Sequence, residues 1–494
     1  MPESIPNAYE TVIYPGHAYA QTHPDHIGAM ACLCGLDPAP LETCRVLEVA
    51  CGDASNLIPM AMALPRATFR GFDLAPNPIE RGKTLAREIG ITNLTLEQLD
   101  ITQAPDCMGE FDYLIAHGFY SWVPQAARDK LMAICRASLA PHGVAFISYN
   151  TFPGGHIRNM VRDMMLFHVE RAPDAQTKIS QARALLGFLS KQDPSDDEYR
   201  IVLKKEFERV LKCPPGHLYH DELAPFCDSF YFHEFISRAA EHDLQFLADL
   251  NSTLIHVEGL DAEAAQALSE LETDPILREQ YLDFFCCRRF RQTLLCHAGL
   301  RLDRRPNARR LEALLVSSPA TRVSKETKPG SNEEEEFHGA RNATLKTSHP
   351  VMKAAMWTLH SAWPECLSMD KLRELTAARL DVSVDSIPSN LLPDCVLAAF
   401  TMRVLDLHLH SPRAISIPGG QPRTSPLVRW QARNGSIVTN LLHESVRVER
   451  DGLRLLALLD GHRNRAQLAA DWQATPAEID EALGRLTRLA FLEA

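Results

Sequence analysis

The sequence of 494 residues predicts an α/β protein, in which a Rossmann-like sheet with a helical insertion is followed by helical and winged-helix-like C-terminal domains. Two observations lead to this prediction. Short apolar runs alternate with helical stretches over roughly the first 150 residues, a rhythm typical of a parallel sheet covered on both faces. The chain is also too long for a single hydrophobic core, so several domains are expected.

Five apolar runs are the expected strands of the sheet. The first ends in the small-residue turn 51–55, and a helix is expected from about Asn56. A further strand at 244–247 is expected to return to the same sheet after the helical insertion. The five runs cover 45–50, 68–73, 94–100, 111–116 and 143–149.

The rest of the chain is expected to divide where its composition changes. Residues 262–300 favour helix, and the polar stretch 324–344, with its Glu333–Glu336 run, predicts a solvated linker. Near the end, Thr475 and Glu478 predict a capped helix. The expected domains are a core over 1–156, a helical insertion over 157–214, the end of the sheet with a helical middle domain over 215–323, the linker over 324–344, and two winged-helix-like units over 345–415 and 416–494.

Composition excludes several classes of protein. No apolar run approaches the ~18 residues that span a bilayer, and the first residues lack a signal pattern, so a cytosolic protein without membrane insertion is expected. The 13 cysteines are scattered without a CxxC pair, which predicts reduced thiols and no metal site. The 51 basic and 63 acidic residues give a net charge of −12, which disfavours nucleic acid as a partner.

The strongest local motif is the turn after the first strand. A strand that ends in small residues and opens a helix presents free backbone N–H groups to a ligand. A dinucleotide site would require the pattern G-x-G-x-x-G here. Instead Ala50 stands where glycine is expected, Gly52 remains, Asn56 opens the helix, and Glu48 places a carboxylate in the strand. A ligand with positive charge and no phosphate, such as S-adenosylmethionine, suits this motif better than a dinucleotide.

Two further acids fall where the nucleoside of such a ligand would lie. Asp73 ends the second strand and is expected to accept hydrogen bonds from the ribose hydroxyls, with Leu74 packing on the adenine. Asp100, with Ile101, ends the third strand, where an acid is placed to accept from the adenine amino group. A lone acid at a strand end is more often a helix cap, but acids at successive strand ends together favour a cofactor site.

An aromatic cluster follows the fourth strand. His117, Tyr120 and Trp122 are expected above the carboxyl ends of the strands, where open sheets bind ligands. Rings there would stabilise a sulfonium through cation–π contacts, about 1–2 kcal/mol when desolvated. Core packing is an equally open interpretation for Tyr120 and Trp122.

The chain resembles class I methyltransferases, and specifically the bacterial family with a methyltransferase regulatory domain. The resemblance covers nearly the full length. It rests on CRVLEVACGD-x-x-NLIPMA (44–61), HGFYSWVP (117–124), LAPHGVAFISYNTFPG (139–154), YLDFFCCRRFRQTLLCH (281–297) and SPLVRWQARNGSIVTNLLHE (425–444). It implies methyl transfer from S-adenosylmethionine. Members with an assigned role are similar to bacterial protein-lysine methyltransferases that act on an outer-membrane protein, with a C-terminal winged-helix domain and a homodimeric assembly.

The predicted acceptor site follows from position alone. A lysine acceptor must lose a proton before it accepts a methyl group, since its pKa in water is about 10.4. Tyr149, at the end of the fifth strand, is the first candidate to assist, with Tyr120 and His117 lining the site. Tyr14 is expected to close over the cofactor from the N-terminal segment.

Three functions remain open on the sequence. Methylation of a protein side chain, with lysine first, leads. Methylation of a small molecule or peptide natural product is the second, and a non-enzymatic DNA-binding regulator the third. Charge disfavours the regulator, because residues 345–412 contain six Lys/Arg against seven Asp/Glu, whereas DNA-reading winged helices present a basic face.

Overall fold

The N-terminal part of the protein is built on one mixed sheet. A computed structural model describes residues 12, 14–191, 197–250, 262–271, 273–304, 307–323 and 328–493. The sheet order is β3-β2-β1-β4-β5-β8-β7, with β6 paired to β5. Its strands are β1 (Arg45–Val49), β2 (Thr68–Asp73), β3 (Leu94–Gln98), β4 (Phe111–Ala116), β5 (Leu139–Thr151), β6 (Ser229–Phe230), β7 (Leu244–Asp249) and β8 (Phe290–His297).

The strand directions place one edge of this sheet for ligand binding. The strands β1 to β5 are mutually parallel, and β8 runs antiparallel to both β5 and β7. Within the register, Glu48 lies beside Gly71 of β2 and Ile115 of β4. The carboxyl ends of the central strands therefore meet at the edge where open α/β sheets bind ligands.

Helices cover both faces of the sheet and form the insertion. Those of the core are α1 (Pro24–Leu33), α2 (Leu57–Ala63), α3 (Pro76–Glu88) and α4 (Gln125–Ser138). The insertion contains α5 (Gly154–Val169), α6 (Ala175–Leu189) and α7 (Glu198–Leu211), which share a small hydrophobic core of their own. A helical turn (Pro215–His217) then runs into a π-helix over Leu218–Glu222, before α8 (Phe232–Ala240).

The expectation of helix throughout 262–300 is wrong at its end. The helices α9 (Ala262–Glu270) and α10 (Pro275–Cys286) are present, but β8 follows as a strand inside the sheet. Six of its eight residues are buried, including Arg291. A strand buried on both faces lacks the alternation that identifies an amphipathic strand, so periodicity alone does not distinguish it from a buried helix.

The predicted linker is also corrected. Within its described part, β11 (Glu335–His338) pairs with β10 (Thr321–Arg322) and β12 (Thr344–Thr347). Phe337 is fully buried, and Glu335 accepts a hydrogen bond of 2.7 Å from Trp357. Glu335 and Glu336 therefore belong to a strand with one face on a core and not to a solvated tether, whereas Glu333 and Glu334 before it are exposed.

The first C-terminal unit begins earlier than predicted and is not separate from the core. Its small sheet joins β13 (Leu367–Ser368) and β14 (Asp406–His408) to β9 (Leu315–Ser317), which precedes the expected boundary at 345. Its helices are α11 (Pro350–Ala362), α12 (Met369–Leu380) and α13 (Leu391–Thr401). One continuous hydrophobic core runs from Ile27 of α1 to Leu407 of β14.

The second C-terminal unit has a hydrophobic core of its own. It contains α14 (Pro426–Asn434), β15 (Ile437–Thr439), β16 (Ser445–Arg447), α15 (Arg450–Leu458), α16 (Arg465–Trp472) and α17 (Pro476–Arg488). The capping box predicted for the last helix is present, with Thr475 and Glu478 bonded reciprocally. Among the described residues, no helix has the length and apolar character needed to cross a bilayer.

Candidate functional site

The turn after β1 holds three alternate residues in the left-handed backbone region. Their φ angles are 57° at Ala50, 55° at Gly52 and 59° at Ala54. A Cβ added at Gly52 would meet nothing within 4 Å, so it is the backbone angle that favours glycine there. The two alanines hold a conformation that costs an L-residue roughly 1–2 kcal/mol, which the surrounding fold must stabilise.

Glu48 is the buried acid of this site. Its side chain is 5% exposed, and its Oε1 accepts a hydrogen bond of 2.7 Å from Asn56. Its Oε2 is buried without a donor among the described residues. Burial, helped by Asp73 and Asp53, raises the pKa of Glu48 to about 8. A buried carboxylate oxygen without a donor fits a ligand that brings a positive charge.

Asp73 lies beside Glu48 and holds the turn. Its Oδ2 accepts from the backbone N–H of Gly52 at 2.9 Å, and its Oδ1 accepts from that of Ala75 at 2.8 Å. Burial raises the pKa of Asp73 against the effect of these hydrogen bonds. Each carboxylate oxygen keeps a further acceptor position, and the neighbouring Leu74 is 57% exposed. The ribose contacts of Asp73 and the adenine contact of Leu74 stay predictions.

The third strand ends in a locally capped turn. Asp100 caps a short 3₁₀ helix, accepting from the backbone N–H and the hydroxyl of Thr102 at 2.9 and 2.8 Å. Ile101 is 7% exposed and packs in the core beneath the sheet. The hydrophobic core therefore holds the Ile101 side chain, and the place of this residue in the cofactor site stays a prediction. Asp100 has the capping role that a lone acid at a strand end most often has.

His117 and Trp122 lie at the expected edge. The Nδ1 atom of His117 is 2.9 Å from the Ser148 hydroxyl, and its ring meets Tyr19 edge-on at 4.2 Å. Burial lowers the pKa of His117 to about 4, so the ring is neutral. The Nε1 atom of Trp122 is buried without an acceptor among the described residues, and Arg158 lies 5.7 Å from its ring centroid.

The other two aromatic candidates belong to the core. Tyr149 is fully buried, stacks on Phe235 at 4.1 Å and bonds Thr293 through its hydroxyl at 3.1 Å. Tyr120 is 1% exposed and packs edge-on against Phe230 and Phe235. The predicted catalytic roles of Tyr149 and Tyr120 are corrected, because both rings are enclosed under the sheet rather than directed to its edge.

The N-terminal segment and the π-helix form a second wall that the motifs did not reveal. Tyr14 stacks on His217 at 5.0 Å, and its hydroxyl lies 3.5 Å from Oδ2 of Asp221. His17 lies 6.1 Å from His217 and 6.2 Å from Tyr19, between ring centroids. The run HLYHDE (217–222) is rich in titratable residues, a signal that could have drawn attention to this segment.

Arg158 of α5 fixes the π-helix to the sheet edge. Its guanidinium donates to Oδ1 of Asn150, at the end of β5, at 2.8 Å. It also donates to Oε2 of Glu222 at 3.1 Å and to the backbone carbonyl of Asp221 at 3.1 Å. The π-helix therefore lies over the same edge as Trp122. Short π-helical segments frequently occur at functional sites.

The C-terminal unit also reaches the cofactor turn. The backbone N–H of Tyr19 donates to Asn56 at 3.0 Å, which identifies the accepting atom as Oδ1. Nε2 of His443 lies 2.9 Å from that same oxygen. His443 therefore donates to Asn56, whose amide nitrogen in turn donates to Glu48. Burial holds the pKa of His443 well below its ordinary value, so it acts as a neutral donor.

A group of possible metal ligands lies behind this contact. Asp25, His26 and His408 place ligand atoms within 4.8 Å of one another. Asp25 is already engaged, because one oxygen is 2.6 Å from Nδ1 of His408 and the other accepts from the backbone N–H of Leu409 and of His410. These bonds join α1 to the first C-terminal unit.

Comparisons with known families agree along the chain. The family described as "Methyltransferase domain" matches residues 46–143, and "Predicted methyltransferase regulatory domain" matches 214–297. "PKMT, C-terminal winged helix domain" matches 420–480.

Similarity to individual proteins extends over nearly the whole chain. An uncharacterized protein of Rickettsia prowazekii (strain Madrid E) is 32% identical over 471 residues, covering 93% of this chain and 84% of the relative. The structure of PKMT2 from Rickettsia typhi has a TM-score of 0.87 at 26% identity, covering 97% of this chain and 99% of that one. The same protein in complex with AdoHcy has a TM-score of 0.88, with the same identity and coverage.

Proposed function

Since the chain belongs to the family of class I methyltransferases with a methyltransferase regulatory domain, we propose that it transfers methyl groups from S-adenosylmethionine to lysine side chains of proteins. The observation that carries the proposal is the likeness to PKMT2, a protein-lysine methyltransferase by its name, over 97% of this chain. The C-terminal winged helix that the PKMT family description names is included in it.

The residues of the cofactor turn support this proposal. S-adenosylmethionine supplies a methyl group activated by a positive sulfur. Glu48 would hold its ammonium, since the buried Oε2 lacks a donor among the described residues, and Asp73 would hold the ribose hydroxyls. With Asp53, three carboxylates lie close together here and oppose a pyrophosphate. His117 and Trp122 would enclose the sulfur side and exclude water.

A transfer experiment tests the acceptor class. The purified protein is incubated with methyl-labelled S-adenosylmethionine and a bacterial lysate, and the products are separated by size. Label in protein that yields methyl-lysine after acid hydrolysis is the expected result. Label confined to the small-molecule fraction would contradict a protein acceptor and favour the natural-product alternative.

We also propose a cytosolic homodimer, paired through the helical insertion. Phe167 of α5 is 84% exposed and Phe188 of α6 is 64% exposed, both on the same small subdomain. Exposed aromatic side chains in one region favour a protein contact. Light scattering coupled to gel filtration should give a mass twice that of the 55.2 kDa chain. In the Phe167→Asp variant the measured mass should fall to that of a single chain.

A further inference from the structure

One carboxylate of the π-helix stands apart from the ion pairs around it. The Asp221 side chain is 25% exposed, and its Oδ2 lies 3.5 Å from both the Tyr14 hydroxyl and Nδ1 of His217. At 3.5 Å both contacts are weak. In the part of the chain that the structure describes, the basic side chain found within 4 Å of this carboxylate is that histidine, and burial lowers its pKa and favours its neutral form.

The neighbouring charges are paired with one another instead. Glu222 lies 3.1 Å from Arg158 and 2.8 Å from Arg209. Arg209 is also 2.8 Å from Glu206. Both guanidinium groups are therefore engaged by glutamates, and Arg158 reaches Asp221 only through the backbone carbonyl. The network fixes the backbone at Asp221, while the two guanidinium groups are paired with glutamates and not with its carboxylate.

Tyr19 connects this carboxylate to the cofactor turn. Burial, with the charges of Asp221, Glu48 and Asp53, raises the pKa of Tyr19 to about 12. The Tyr19 hydroxyl is therefore within electrostatic range of the π-helix and of the cofactor acids together. Its ring also packs on His117 at the end of β4.

We propose that Asp221 receives the amino group of the methyl acceptor, binding the incoming ammonium and taking a proton from it. This inference rests on the proposed lysine specificity and names the residue that serves it. Tyr14 and Tyr19 would form the walls of the channel for the acceptor's aliphatic stem, since aromatic faces suit such a chain.

Proton transfer to Asp221 precedes methyl transfer. One N–H bond of the ammonium breaks and its proton passes to the Asp221 carboxylate, leaving a lone pair on nitrogen. That nitrogen forms a bond to the methyl carbon while the carbon–sulfur bond breaks, and the electron pair of the broken bond remains on sulfur. The product is a methylated ammonium, and the partly exposed Asp221 releases its proton to water.

The electrostatics of the site agree with this role. Burial raises the pKa of Asp221 to about 7, with Glu222 adding to the increase and Arg158, Tyr14 and Arg209 opposing it. A carboxyl group with a pKa near the working pH is suited to proton transfer. His217, the other titratable group in contact, has a pKa below its ordinary value because of burial.

The test compares two nucleosides, so that it needs no acceptor. Sinefungin carries an amine on the carbon that replaces the methylated sulfur, and AdoHcy has no such group. We expect the wild-type protein to bind sinefungin more tightly than AdoHcy in calorimetry. In Asp221→Asn, the affinity for sinefungin should fall roughly ten- to a hundredfold, because a hydrogen bond to a charged group is lost. The affinity for AdoHcy should stay the same. Asp221→Glu should recover part of the preference.

Asp163→Asn is the matched control, because that side chain is exposed on α5 and should leave both affinities unchanged. The preference for sinefungin should also diminish below about pH 7 in the wild type, where Asp221 becomes neutral. An unchanged ratio of the two affinities in Asp221→Asn, with the melting temperature preserved, overturns the role of Asp221. Failure of the wild type to bind AdoHcy would instead remove the proposed function along with it.

Discussion

The two walls of the site differ in how the chain builds them. The cofactor wall comes from neighbouring strand ends, where a hydrogen bond between Asp73 and Gly52 joins adjacent turns. The second wall, to which we assign the acceptor, is assembled from the N-terminal segment, α5 and the π-helix. These elements are far apart in the sequence, since Arg158 and Glu222 are 64 residues apart and Tyr14 and Asp221 are 207 residues apart. A sequence motif therefore predicts the first, local wall, whose residues are close in the sequence. The second wall becomes visible only in the folded structure, because its residues are distant in the sequence.

The largest effect should come from the local wall. Glu48→Gln removes the carboxyl group that ionises to hold the ligand's ammonium, but keeps the side-chain shape and the contact with Asn56. AdoHcy affinity should fall about a hundredfold, since a charge-assisted hydrogen bond contributes roughly 1.5–3 kcal/mol. Calorimetry measures this affinity, and a value within about twofold of the wild type would show that Glu48 does not hold the ligand.

A long-range contact to the same wall should matter less. His443→Ala removes the donor to Asn56 and should weaken AdoHcy binding about tenfold, because the amide that orients Glu48 loses a partner. His443→Gln retains a donor and should recover part of the loss. His462→Ala, a substitution in the same C-terminal unit at an exposed histidine, is the control. Equal affinities for all variants would make the local wall independent of the C-terminal domain.

The pH dependence of AdoHcy binding should follow the ionisation of Glu48. With a pKa of about 8 in the free protein, Glu48 is mostly neutral at pH 7 and must ionise to bind an ammonium. AdoHcy binding at pH 7 should therefore release a proton, and affinity should rise about fivefold between pH 7 and 8. Titrations in buffers of different ionisation enthalpy measure the released proton. Glu48→Gln should show neither effect, and the same pH profile in that variant would assign the proton elsewhere.

The smallest effect on binding is expected from the core. Tyr149→Phe removes the buried hydrogen bond to Thr293 and leaves the ring stack on Phe235 intact. The free energy of unfolding should fall by about 1 kcal/mol, measured in urea, while AdoHcy affinity is unchanged. A loss of AdoHcy affinity at full stability would return Tyr149 to the site.

The sequence predicts the local wall well for physical reasons. Parallel strands bring their carboxyl ends to one edge, so the order of apolar runs along the chain is enough to place Glu48 and Asp73 together. The strands β1 to β5 are predicted as well, because each contains a short apolar run. The buried β8 is predicted as helix instead, since it shows no period of two.

The other residues of the site depend on the direction in which each side chain points. Tyr149 and Ser148 are adjacent on β5, yet one is enclosed under the sheet and the other bonds His117 at the edge. Because alternate residues of a strand face opposite sides, an error of one residue in the expected direction exchanges a core residue for a site residue. The contacts of His443 and Asp221 arise only from the packing of distant segments, which no local pattern encodes.

We infer that the first strand ends form a phosphate-free site for a positively charged nucleoside. The most direct measurement is a pair of calorimetric titrations of the wild-type chain, one with AdoHcy and one with NAD⁺. We expect saturable binding of AdoHcy with one molecule per chain and no heat of binding with NAD⁺. No uptake of AdoHcy, or equal affinity for the pyrophosphate ligand, would contradict it.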